Sequence, residues 1–187
     1  MENEKKVEKN DILRSLFEWI ELVAFSVAFV LIILNCFARY SPVDGASMNQ
    51  TLQDKDVLIL SNLFYEPKVG DIVVFANQTT SYEKPYVKRV IATQGQHIVI
   101  DKSTQTITVD GEVSECEKYA YYDPTKEYID FYWPDIDMVI PEGQIFVLGD
   151  NRYNSSDSRL IGTVDERDII GRVVFRLMPF DVIGTVE

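Results

Sequence analysis

A serine, a lysine and a dense polar loop are the parts of this chain whose residue types could do chemistry. Ser47 stands in "VDGASMNQTL" (Val43–Leu52), with no charge immediately beside it, shortly after the most apolar stretch of the sequence. A serine hydroxyl is a weak nucleophile until a neighbouring base takes its proton. Lys88, in "YVKRVI" (Tyr86–Ile91), is a candidate for that base. An ammonium group cannot accept a proton, but apolar surroundings lower a lysine's pKa by several units and free the amine. Strand alternation puts Tyr86, Lys88 and Val90 on one face and Val87, Arg89 and Ile91 on the other. Taken singly, Ser47 also reads as a turn residue and Lys88 as a gatekeeper on an edge strand. The third element is "GDNRYNSSDSR" (Gly149–Arg159), which packs two aspartates, two arginines and three serines directly after an apolar strand. A solvated loop and an ordered polar network are both open readings of it.

Several other machineries are excluded. A Ser-His-Asp triad would have to use His97, the one histidine, and no G-x-S-x-G elbow exists. Walker and Rossmann glycine patterns are absent. As a calcium loop, Asp150–Asp157 fails, because Arg152, Ser155 and Ile161 occupy its third, sixth and twelfth positions. No cysteine pair has metal-ligand spacing, and Cys36 and Cys116 lie too far apart in context to form a disulfide framework. The formal net charge of −12 disfavours a nucleic-acid partner.

The elements that must position these residues fall into two parts. Leu22–Ala38, "LVAFSVAFVLIILNCFA", carries no charge. Trp19, Ile20 and Tyr40 extend it toward the roughly 30 Å needed to cross a bilayer, with aromatic rings at the interfaces. Lys5, Lys6, Lys9 and Arg14 precede it, so a cytoplasmic N-terminus is expected. The run exceeds the usual removable core, which favours a retained anchor over a cleaved signal peptide, although Cys36 and Ala38 form a weak small-x-small pair. The expected organisation is a cytoplasmic tail over 1–18, a transmembrane anchor over 19–40 and an extracytoplasmic β-rich domain over 41–187.

Within that domain, 46% hydrophobic and 12% aromatic composition over the 187-residue chain supports a real core. Short β-branched runs follow one another: Asp56–Ser61, Asp71–Ala76, Tyr86–Ala92, His97–Ile100, Thr106–Val109, Gln144–Gly149 and Gly171–Leu177. They predict a mainly β fold, an antiparallel sheet or barrel-like sandwich, with a hairpin at Asp110-Gly111. From about 112 to 140 an aromatic-rich stretch, including Tyr119, Tyr121, Tyr122, Tyr128, Phe131, Tyr132 and Trp133, reads as an inserted lobe or long loop.

The order of serine box, "GDIVVF", "YVKR" and "GDNRYNSSDSR" after one N-terminal anchor resembles bacterial type I signal peptidase, particularly its small single-anchor branch. The resemblance runs from about Trp19 to Arg176. It implies a membrane-bound serine endopeptidase that removes signal peptides from exported preproteins after small-x-small sites. By the same resemblance Ser47 is the nucleophile, Lys88 the general base and Met48 a substrate-adjacent side chain. Ser155 orients the lysine amine. Asp157 with Arg159, and Asp150 with Arg89, are bracing ion pairs, and the backbone N–H of Ser47 holds the oxyanion. No metal or organic cofactor is implied; the partners are signal peptides and, through the anchor, membrane lipid. The sequence departs from the family at Gly45, where some members place a second oxyanion hydroxyl, at Gln50 in place of proline, and in "ATQGQ" (Ala92–Gln96). The rival expectations are a non-cleaving scaffold or chaperone for a surface or pilus precursor, and a self-cleaving Ser/Lys repressor relative. A scaffold would be expected to lack Ser47 or Lys88, and a repressor relative to carry a DNA-binding domain where the anchor stands.

Overall fold

Beyond residue 38 the β-branched runs assemble, in a computed structural model, into two antiparallel sheets. The structure describes residues 2–37, 39–76, 84–123 and 133–186, with backbone alone for 2–13 and 32–37. The chain divides into two units, Met1–Ala38 and Arg39–Glu187.

The first unit is one helix, α1 (Glu2–Phe37). Its described side chains, 14–31, are all exposed, among them Phe17, Trp19, Phe25 and Phe29. Among the described residues no helix is long and apolar enough to cross a membrane. Part of the apolar run Leu22–Ala38 lies outside the described side chains. Arg39 and Tyr40, assigned from the sequence to the end of the anchor, belong to the first strand of the second unit.

That unit contains β1 (Arg39–Pro42), β2 (Val57–Ser61), β3 (Ile72–Phe75), β4 (Tyr86–Thr93), β5 (His97–Asp101), β6 (Thr106–Val109), β7 (Glu112–Val113), β8 (Ile136–Val139), β9 (Gln144–Leu148), a short helix α2 (Ser158–Ile161), β10 (Val164–Asp165) and β11 (Ile169–Met178). The main sheet has the order β1-β2-β11-β3-β4-β9-β10, and the second β7-β6-β5-β8. Register shifts in β11 and between Val90 and Ala92 of β4 mark bulges, which bend a strand and sharpen its twist. Asp110 (φ 54°) and Gly111 (φ 85°) join β6 to β7 as a two-residue turn with the positive φ values such hairpins require.

The core lies on both faces of the main sheet. Ile72, Val74 and Val87 pack on one side with Val43, Met48, Leu52, Leu58, Leu60 and Val173. Val73, Phe75 and Val90 pack on the other with Ile145, Val147, Val164 and Ile169. Farther along β4, Ile91 and Ala92 join a third cluster with Ile98, Ile100 and Ile107 of the second sheet and with Trp133. Because both faces are covered, β4 is buried from Val87 to Ala92, and this burial encloses two cationic side chains, Lys88 and Arg89. Of the aromatic-rich stretch, Tyr119, Tyr121, Tyr122 and Trp133 are placed, whereas Tyr128, Phe131 and Tyr132 lie outside the described residues.

Candidate active site

The segment between β1 and β2 carries Ser47. Ladder-like bonds, Val43 N–H to Asp56 O at 2.8 Å and Lys55 N–H to Val43 O at 2.9 Å, close its base. Gly45 turns the chain at φ 98° and donates its N–H to Asp54 Oδ1 at 2.8 Å. A hydrogen-bonded turn follows, with Asn49 N–H bonded to Ala46 O and Leu52 N–H to Met48 O. Met48 and Leu52 anchor this turn in the core, at 1% and 0% exposure, while half-buried Ser47 borders a groove of about 440 Å³. Met48 itself is not among the residues lining that groove. The resemblance expects it beside substrate; in the structure its side chain packs with Leu52, Val43 and Val87 in the core.

Residues 43–47 form one wall of the groove and 85–88 the other, with Asn154 and Ser156 between. Lys84 and Asp44 form an ion pair at its margin. Across the groove, the Lys88 ammonium donates to Ser47 Oγ at 2.8 Å and to the Val87 carbonyl at 2.9 Å, with the Tyr86 ring centroid 5.3 Å from Nζ. Lys88 is 3% exposed. Burial is the main influence on its pKa, lowering it to about 8; the Asp157 and Asp150 carboxylates oppose that shift and Arg159 adds to it. A neutral Lys88 amine at this distance can accept the Ser47 proton. The N–H of Ser47 donates no hydrogen bond among the described residues.

The loop after β9 braces both residues. Asp157 caps α2, accepts the Gly149 N–H at 3.0 Å and holds Arg159 through two bonds of 2.8 Å. Arg159 also donates to Arg152 O, and its guanidinium lies 5.0 Å from the Trp133 ring centroid. Asp150 receives Arg89 through bonds of 2.9 and 2.8 Å, and Thr51 Oγ1 donates to its Oδ2. Arg89 reaches Gly70 O as well and lies 3.7 Å from the Tyr119 ring centroid. Ser155 is 2% exposed, and its Oγ makes no hydrogen bond among the described residues, to Lys88 or to any other group. Among those residues no three His, Cys, Asp or Glu side chains are grouped to hold a metal ion.

Gly149 is one place where this loop lies close to the Ser47 backbone. A Cβ there would sit 2.2 Å from Ser155 Oγ and 2.5 Å from the Ser47 carbonyl oxygen. The Gly149→Ala variant is therefore expected to displace the Ser47 turn and to lower kcat/KM by about 10²-fold, the scale of an ångström-sized misplacement. Wild-type kinetics in that variant would show that the loop yields without moving Ser47. Sequence reasoning gave no individual role to Gly149, Thr51, Tyr119, Asn151 or Trp133. Only the density of polar and aromatic residues around them signalled a network.

A family model and relatives by sequence point to one family. The model for "Signal peptidase, peptidase S26" matches residues 16–178. A probable signal peptidase I-1 of Synechocystis sp. is 34% identical over 167 residues, spanning 84% of this chain and 79% of that relative. Signal peptidase IB of Staphylococcus aureus is 33% identical over 184 residues, spanning 89% and 92%. Among solved structures, a signal peptidase I from Enterococcus faecalis V583 is similar at 27% identity and a TM-score of 0.46, over 58% of this chain and 97% of that one.

Proposed function

The chain belongs to the signal peptidase family, peptidase S26, and from that premise we propose that Ser47 and Lys88 are its catalytic pair. It is a serine peptidase that removes signal peptides from preproteins. The observation carrying the assignment is the Lys88 amine 2.8 Å from the Ser47 hydroxyl in a buried setting. Neutral Lys88 takes the Oγ proton as Oγ bonds to the scissile carbonyl carbon, and the carbonyl oxygen becomes an oxyanion facing the Ser47 N–H. Collapse of this intermediate breaks the C–N bond. The Lys88 ammonium returns its proton to the leaving amine, which departs as the new N-terminus of the mature protein. Water, deprotonated by Lys88, then hydrolyses the acyl-enzyme and regenerates Ser47.

The substrate end of the signal peptide lies extended between the 43–47 and 85–88 walls. β9 pairs with β4 only from Arg89 onward, so ahead of that register the strand borders the groove and is placed to guide an added peptide strand. Val43 and Val87 supply apolar lining suited to small side chains one and three residues before the scissile bond. Met48 packs in the same cluster as these two valines and supports the groove from beneath. The Asp157–Arg159 and Asp150–Arg89 pairs brace the loop that touches the Ser47 turn. Ser155 orients Lys88 as the amine loses its proton, and its Oγ is committed to no other hydrogen bond among the described residues.

The apolar run Leu22–Ala38 anchors the chain in a membrane with its N-terminus cytoplasmic and its catalytic unit outside. The uncharged run, the preceding basic residues and the exposed aromatic side chains of α1 support this reading. A non-cleaving scaffold is not favoured by the family membership.

The working pH tests the base. Lys88 accepts a proton only when neutral, so kcat/KM on a signal-peptide substrate should rise with pH and level off above about 8. Below that point the fall should be roughly tenfold per pH unit. A profile flat from pH 6 to 10 would sink the assignment of Lys88.

A further inference from the structure

The peptide bond joining Ala46 to Ser47 is trans, so its carbonyl and its N–H point in opposite directions. Whatever holds the Ala46 carbonyl therefore aims the Ser47 N–H. Asn151 holds it: Nδ2 donates to Ala46 O at 3.1 Å, and the Asn151 backbone N–H donates to Ser47 O at 3.0 Å. The side chain has no other hydrogen bond among the described residues, since its Oδ1 is buried without a partner. Asn151 is 5% exposed and does not line the groove, so it does not meet a peptide bound there.

We propose that Asn151 is a positioning residue for the oxyanion donor, acting through the Ala46–Ser47 peptide group. This rests on the reading of Ser47 as nucleophile. The Asn151 amide pulls the carbonyl away from the groove and leaves the Ser47 N–H, which donates to no other group among the described residues, directed toward the reacting carbonyl. Ala46 O also accepts the Asn49 N–H at 3.2 Å. Two donors on one carbonyl polarise the peptide group and strengthen its N–H as a donor. This matters more here because Gly45 supplies no hydroxyl to share the oxyanion.

The test uses the full chain with Asn151→Ala and Asn151→Leu. Leucine keeps the volume and lacks the donor, and both variants retain the backbone bond from residue 151 to Ser47 O. Expected are a roughly 10- to 100-fold fall in kcat, part of the 10²–10³ that a lost oxyanion donor costs, and a KM within about two-fold of wild type. Inhibition by a substrate-like peptide aldehyde, which forms a tetrahedral adduct on the serine, should weaken by the same factor as kcat/KM. The midpoint of the pH profile should stay in place, because Lys88 keeps its contacts. The proposal is overturned if the leucine variant keeps wild-type kcat, if KM alone changes, or if aldehyde affinity is unaffected. Failure of the underlying reading looks different: Ser47→Ala would then remain active whatever Asn151 does.

Discussion

Ser47→Ala and Lys88→Ala are each expected to lower kcat/KM on a signal-peptide substrate by about 10⁴-fold or more, and the double variant should be no worse than the more damaged single. On the proposed assignment nucleophile and base act in one step, so removing either removes the same barrier reduction. Additive losses would mean that the two residues act separately, despite the 2.8 Å contact. A second readout checks that the lysine is held in the state the chemistry needs. Its pKa in the folded chain, about 8, lies below its ordinary value of 10.5. The unfolded chain therefore binds more protons between those values, and this group makes the protein more stable as pH rises through that window. Below pH 8 the full penalty is present. Lys88→Met should then be inactive yet more stable than wild type at pH 7, by up to the order of 3 kcal/mol, less what the lost hydrogen bonds supplied. Denaturant unfolding at pH 7 and pH 10 measures this, and the advantage should shrink at the higher pH. A methionine variant less stable at both would show that Lys88 is not under desolvation stress.

The burial behind that stress was only partly legible in the sequence. Alternation in "YVKRVI" puts Lys88 on a face with Tyr86 and Val90, and the ring of Tyr86 does lie near its amine. The same pattern cannot reveal that the other face is covered too, because a strand buried on both sides loses its period-two signature. The seven runs with strong β-branched content became β2, β3, β4, β5, β6, β9 and β11. β1, β8 and β10 carry no strand signal of their own, and β7 shows only as the far arm of the Asp110-Gly111 hairpin. They are only two to four residues long, and pairing with a neighbour defines them more than their own composition does. Within the candidate site, the polar box announced a network, but which arginine meets which aspartate came from the family resemblance. The rings of Tyr119 and Trp133 beside the two guanidiniums depend on contacts between distant parts of the chain, so local sequence carries no sign of them.

Asp150→Ala is expected to destabilise the catalytic unit by about 3–5 kcal/mol, a large part of the stability of an ordinary domain. Arg89 is fully buried and its fork is matched by both oxygens of Asp150, so removing the carboxylate takes away two charge-assisted bonds from a cation in the interior. The bond to Gly70 O and the Tyr119 ring remain and soften that loss. The pair as a whole contributes far less than the single variant suggests, because taking both charges out of water offsets most of their attraction. Arg89→Met combined with Asp150→Leu should therefore recover most of the stability that Asp150→Ala loses, as measured by denaturant unfolding. Activity should not recover with it. Asp150 stands between Gly149, which leaves no room for a Cβ beside the Ser47 carbonyl, and Asn151, which holds the Ala46 carbonyl, and its Oδ2 also accepts from Thr51 of the Ser47 turn. A refolded but slow double variant would separate the two contributions of this pair: little net stability, and the register between the polar loop and Ser47. Full recovery of kcat/KM in that variant would show that apolar packing alone can hold the register, and the ion pair would then have no part in aligning the catalytic residues.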